Sequence, residues 1–338
     1  MKFNNIIGHS KTKNSFIGLL EKDKLPHAIM LTGNIGIGKF LFARAMATLI
    51  TERKLPKTIT DSCNINEKIF NCTNILYIAP SKVKGSKSNG DFNLEDYLKL
   101  IELLKINNKT GKIPIGLIHF IISQLKYKTA YNEGFVVIIR NAEKMTKESQ
   151  NAILKTLEEP PDNVYFILTT SNEMDLLPTI KSRSYKILMN GLKNNDMKLI
   201  IEKFNIDKEN IDTLVLLSQG SPGKLHKYST YDVNSVKESV IESLRSRNFN
   251  KLISDISKNY KDKYQLDILN QIYREIFFIV LRDFYIDNES TYFHYDFKLP
   301  IDRVNSTIEK LVAVEKNSIY NLSKDIEWGT IFYSIFGG

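Results

Sequence analysis

The segment Gly33-Asn34-Ile35-Gly36-Ile37-Gly38-Lys39-Phe40 spaces its glycines and lysine as G-x-x-x-x-G-K. That spacing suits phosphate: backbone amides and a helix N-terminus hold the oxygens, and the lysine neutralises their charge. A loop that also hydrolyses a nucleotide needs a Ser or Thr hydroxyl at the next position to ligate Mg²⁺. Phe40 stands there instead, an apolar ring with no atom to offer a metal. The second half of such a site is a pair of carboxylates at the end of a neighbouring strand. The strand expected there ends in Arg140-Asn141-Ala142-Glu143. No acid occupies the first two places, a cation at Arg140 repels Mg²⁺, and Glu143 is expected to point elsewhere. Two lesions in one metal site argue against hydrolysis by this chain. The loop then has two readings: its glycines serve the packing of the fold, or it holds a nucleotide without metal.

A phosphate loop needs a strand before it and a helix after it. His27 to Gly33 is a short apolar run that reads as a buried strand, and Lys39 to about Ile50 as the helix that follows. Asn74 to Pro80, Gly134 to Ile139, Val164 to Thr169 and Ser184 to Leu188 read as four further strands. Near-continuous apolar strands alternating with helices predict a parallel sheet covered on both faces. Ser81 to Gly90 reads as a polar loop and Leu94 to Leu104 as an added helix. After about residue 190 helical periods take over, as in Ile211, Leu214 and Val215, or Leu269, Ile272, Tyr273 and Ile276. Gly220-Ser221-Pro222-Gly223 interrupts them, and no internal repeat is found. The expected class is α/β followed by all-α: an α/β domain over 1–189, a small helical domain over 190–232 and a helical domain over 233–338. Three domains suit 338 residues, more than one core usually supports.

The chain carries 47 Lys and Arg against 38 Asp and Glu, a net charge of +9. That excess suits an acidic partner such as nucleic acid, or reflects a lysine-rich proteome, since the lysines are spread evenly. No apolar run approaches the length of a membrane span, and Met1 to Ser10 does not read as a signal peptide, so a cytoplasmic chain is expected. Cys63 and Cys72 are expected to be reduced thiols: a structural zinc site wants four ligands, and His27 and His119 are distant in sequence.

From Ala142 the chain reads Ala-Glu-Lys-Met-Thr-Lys-Glu-Ser-Gln-Asn-Ala-Ile-Leu-Lys-Thr-Leu-Glu-Glu-Pro-Pro161, followed by Phe166-Ile-Leu-Thr-Thr-Ser171 and Leu177-Pro-Thr-Ile-Lys-Ser-Arg-Ser184. With the phosphate loop, these segments resemble the bacterial clamp-loader family, the delta-prime and gamma/tau subunits of the DNA polymerase III holoenzyme, over roughly residues 5 to 190. The lost metal site is similar to the delta-prime branch, because gamma/tau subunits carry the intact hydroxyl and Asp-Glu pair. Ile6-Ile7-Gly8-His9 and Ala142-Glu143-Lys144-Met145 point the same way. Gly220-Ser221-Pro222-Gly223-Lys224 resembles the family's lid segment, with Gly223 where an arginine is usual. The family often has a four-cysteine zinc module where only Cys63 and Cys72 remain, so the resemblance does not carry zinc to this chain.

The resemblance implies an AAA+ P-loop sheet domain, a helical lid and a C-terminal helical collar. It implies a five-subunit ring, with gamma/tau and delta partners, that opens a sliding clamp and places it on primed DNA. ATP and magnesium would sit in neighbouring subunits, and this chain would require no cofactor of its own. Gly33, Gly36, Gly38 and Lys39 would form a vestigial loop. Arg183 would act in trans, as an arginine finger on a neighbour's ATP, where a guanidinium stabilises transition-state charge. The plain alternative for Arg183 is a helix cap or an ion pair with a local acid. The alternative for the whole chain is a gamma/tau-like ATPase subunit.

Overall fold

The structure, a computed structural model, describes residues 6–54, 74–80, 111–129, 135–204, 211–258, 263–286, 299–317 and 324–336, with Phe3, Ile206 and Phe297. Cys63, Cys72, the polar loop after Pro80 and the expected helix at Leu94 to Leu104 lie outside the described residues. The chain divides into two compact units: Met1–Leu199 with Gly220–Pro222, and Ile200–Gln219 with Gly223–Gly338.

In the first unit, α1 (Ser10–Glu21) leads to β1 (Ala28–Thr32), α2 (Lys39–Lys54) and β2 (Ile75–Ile78). Then come α3 (Ile115–Thr129), β3 (Phe135–Ile139), α4 (Lys147–Glu158), β4 (Val164–Thr170), α5 (Pro178–Ser182) and β5 (Tyr185–Leu188). The expected strands are all present, with ends moved by one or two residues. They form one parallel sheet in the order β2-β3-β4-β1-β5. Side chains alternate across the sheet, so each strand feeds two cores. Ala28, Met30, Phe135, Val137, Phe166 and Leu168 pack with α3 and α4, while Ile29, Leu31, Val136, Ile138 and Ile167 pack with α1 and α2. This double burial explains why β1, β2 and β3 are buried throughout and apolar but for Thr32. β5, at the edge, buries only Ile187.

Helix ends follow from local chemistry. Thr146 caps α4 by accepting from the Ser149 amide at 3.2 Å. Pro160 and Pro161 cannot continue that helix, and the chain passes directly into β4. Pro178 opens α5, where a missing N–H costs nothing.

The second unit is helical. It holds α7 (Ile211–Ser218), α8 (Pro222–Tyr228), α9 (Val233–Arg245), α10 (Phe249–Lys258), α11 (Lys263–Ile286), α12 (Ile301–Asn317) and α13 (Lys324–Phe336); α6 (Asn194–Lys203) and α8 straddle the division. Trp328 of α13 is buried with its ring edge-on to Tyr273 and Phe277 of α11. Its indole N–H donates to Asn270 Oδ1 at 3.1 Å. Half-buried Glu275 of α11 accepts from Lys224 Nζ at 2.8 Å and Tyr228 Oη at 2.9 Å, both on α8. No helix among the described residues is long and apolar enough to cross a membrane.

Candidate functional site

The phosphate loop joins β1 to α2, the place its spacing required. Gly33 has φ +144, and a Cβ there would meet the Met189 carbonyl oxygen at 2.2 Å and Ile37 Cδ1 at 2.8 Å, so only glycine fits. Gly36 and Gly38 continue the turn at φ 80 and 97.

Every loop carbonyl with a side-chain partner receives it from this chain's own residues. Lys39 is 8% exposed, and its ammonium donates to Gly33 O at 2.5 Å and Asn34 O at 2.7 Å. Ser221 Oγ donates to Ile35 O at 2.9 Å. His9 Nε2 lies 2.8 Å from Ile37 O; a carbonyl only accepts, so this nitrogen carries the proton. Burial holds the His9 ring below its ordinary pKa, with the Ile37 carbonyl working against it. The loop is thus braced from α2, from the segment before α1 and from Gly220–Pro222. The sequence marked His9 and Ser221 only as parts of resembling segments; their contact with the loop was not legible, Ser221 lying 186 residues from its partner.

Around Phe40, the residue after Lys39, lies an aromatic and guanidinium cluster. The Phe40 ring lies 5.0 Å from that of Tyr77. The Arg140 guanidinium stands 5.0 Å over the Phe40 ring, and that of Arg44 stands 5.9 Å from it. Arg140 also donates to the Tyr77 hydroxyl; burial pushes this phenol up and Arg140 pulls it back. Arg44 is one helical turn beyond Phe40, a spacing that was readable. Cation–π attraction of about 0.5–2 kcal/mol per pair holds two positive groups against this ring. Among the described residues, no group of three or more His, Cys, Asp and Glu is arranged to hold a metal ion.

Glu143 is held at the end of β4: its Oε1 accepts from Ser171 Oγ at 2.8 Å and the Ser171 amide at 3.4 Å, and its charge acts on Lys39. The 3-10 turn Ala142–Lys144 after β3 swings it back over the strand end, a turn that strand periodicity could not announce. Its Oε2 is buried without a hydrogen bond. Thr170 at the end of β4 is engaged locally, donating to Asn172 O and accepting from its amide.

Burial lowers the Lys39 ammonium to about 8 from 10.5, with Glu143 resisting. Between pH 8 and 10.5 the unfolded chain keeps a proton there that the folded chain has released. Stability is therefore expected to rise with pH through this window, by up to about 3 kcal/mol. Urea unfolding at several pH values, beside Lys39→Met, isolates this contribution: the variant loses that part of the slope. Identical slopes would mean that Lys39 does not titrate in the window.

Arg183 lies apart from the loop. It closes α5, donating from Nη1 to Thr179 O at 3.0 Å and pairing through Nη2 with Glu158. β5 runs parallel to β1, with Tyr185 beside Ile29 and Leu188 beside Thr32. Arg183 precedes β5, at the N-terminal end of these strands, whereas Gly33 and Lys39 follow β1 at their C-terminal end. Arg183 and Lys39 thus stand at opposite ends of the parallel strands.

Residues 8–193 match the family model described as "DNA polymerase III, delta subunit". The tau/gamma subunit of DNA polymerase III from Haemophilus influenzae is 24% identical over 277 residues, covering 80% of this chain and 36% of the relative. The delta' subunit from Buchnera aphidicola subsp. Schizaphis graminum is 26% identical over 270 residues, 77% of this chain and 68% of the relative. The chain thus spans about a third of the tau/gamma relative. Among solved structures, a gamma subunit-related protein of Thermotoga maritima aligns with a TM-score of 0.44 and 18% identity, over 94% of this chain and 97% of the other.

Proposed function

Because the chain belongs to the family of the DNA polymerase III delta subunit, we propose that it is a delta-prime-type clamp-loader subunit that does not hydrolyse ATP itself and supplies Arg183 to a neighbouring subunit's ATP. The observation that carries this reading is the Phe40 ring stacked under Arg140, at the place where a hydrolysing loop has a hydroxyl and its metal. An in-line phosphoryl transfer needs a metal bridging the β- and γ-phosphates. Two guanidiniums can neutralise charge there but cannot coordinate the attacking water and the leaving oxygen together.

The position of Arg183 supports the second half. An arginine at the opposite strand end from its own loop is badly placed to serve a nucleotide held there, whereas it can serve a neighbour's. Partners of this chemistry are gamma/tau-type ATPase subunits and a delta subunit, acting together on a sliding clamp and primed DNA in the cytoplasm. The helical regions 190–232 and 233–338 then serve as lid and collar.

The isolated chain is expected to show no ATP turnover above the background rate, with or without Mg²⁺ and primed DNA. One observation favours the runner-up, a gamma/tau-like ATPase: the charge of Glu143 acts on Lys39, and one of its oxygens is buried without a hydrogen bond. Turnover by the isolated chain that Glu143→Gln abolishes would establish that reading and overturn ours.

A further inference from the structure

We propose that Glu158 is a positioning residue for Arg183; the inference rests on the trans-acting reading of that arginine. The guanidinium is held on two sides. Nη2 pairs with Glu158 Oε1, and Nη1 donates to Thr179 O at 3.0 Å and Ser182 Oγ at 3.4 Å. These three contacts leave two of the guanidinium's five N–H groups for a partner. Guanidinium N–H groups held in one plane suit phosphate oxygens.

The carboxylate that does this holding is itself fixed. Glu158 is the last residue of α4, and the prolines at 160 and 161 stop the helix there. The preceding carbonyl, Leu157 O, accepts from His27 Nε2 at 3.0 Å, and His27 stands immediately before β1. On the other side, buried Ser184 donates its hydroxyl to Ile180 O at 2.9 Å and seals the turn that carries Arg183. Glu158 and Arg183 therefore hang from two elements that lead into the N-terminal ends of strands in one sheet. The Glu158-Glu159-Pro160-Pro161 segment, beyond ending its helix, acquires a task.

The pair is 45% and 32% exposed, so it adds little to stability. What it changes is orientation. A long side chain free to sample its rotamers presents a fork to a partner only part of the time, and ordering it beforehand removes that penalty from the docking step.

The test uses the complex reconstituted with gamma/tau and delta partners, with ATP turnover as readout and assembly and thermal unfolding as controls. Glu158→Ala is expected to lower turnover about threefold to tenfold, leaving assembly and unfolding unchanged. Glu158→Asp should recover part of the loss, and Glu158→Ala should change nothing further in an Arg183→Ala background. Where alanine disturbs assembly, Glu158→Gln keeps the shape, removes the charge and takes its place. Turnover at or above wild type in Glu158→Ala, beside a slow Arg183→Ala, would show that the carboxylate competes with the phosphate and would end this inference alone. A further drop in the double variant would also end it, since the effect would not pass through Arg183. Full turnover by Arg183→Ala would instead remove the trans-acting reading beneath it.

Discussion

Replacing Arg183 with alanine in the assembled complex is expected to reduce ATP turnover at the site it serves by on the order of a thousandfold. The reasoning is electrostatic. Transfer of a phosphoryl group spreads negative charge over oxygens that water can no longer reach, and a guanidinium brought there in a fixed orientation stabilises that charge. Arg183→Lys is not expected to rescue the rate, because an ammonium lacks the planar fork. The variant should assemble normally, since an exposed pair with Glu158 contributes about 1 kcal/mol or less. Steady-state hydrolysis with primed DNA, compared with single-turnover measurements, assigns the loss to one site among several. Unchanged single-turnover kinetics would place the stimulating group elsewhere.

The second large effect lies in the helical unit. Trp328→Ala is expected to destabilise it by about 3–5 kcal/mol, because the site loses a large buried ring and cannot collapse around the gap. The indole packs edge-on against Tyr273 and Phe277 and satisfies Asn270, itself buried. Trp328→Phe separates the two contributions. It keeps most of the packing but removes the donor to Asn270, and its cost should fall to about 1–3 kcal/mol. Urea unfolding followed by circular dichroism measures both variants. In the wild-type protein, emission from the chain's single tryptophan reports on this unit directly. A loss below about 1 kcal/mol for the alanine variant would mean that the ring is not part of a close-packed core.

The sheet was legible in the sequence because burial on both faces leaves an unmistakable mark: short apolar runs such as Phe135 to Ile139, bounded by turn residues. The phosphate loop was legible because its glycines are forced by backbone geometry, as at Gly33. The bracing of the loop was not. His9 and Ser221 reach it from distant parts of the chain, and a hydrogen bond between such residues has no periodicity to announce it. The partner of Glu143, Ser171, was not legible for a related reason: spacing predicts direction along a strand, and the chain leaves the strand at Ile139. For Arg183, both local alternatives, a helix cap and a pair with an acid, are present in the structure, and neither conflicts with service to a neighbour.

The Phe40 cluster also bears on how this loop responds to substitution. Phe40→Thr alone would add a hydroxyl but strip the ring from beneath Arg140 and Arg44, leaving two guanidiniums around it. Arg140→Asp alone would place a carboxylate beside a ring that cannot share a metal with it. The three side chains pack as a unit, so a metal-binding arrangement here would need them to change together.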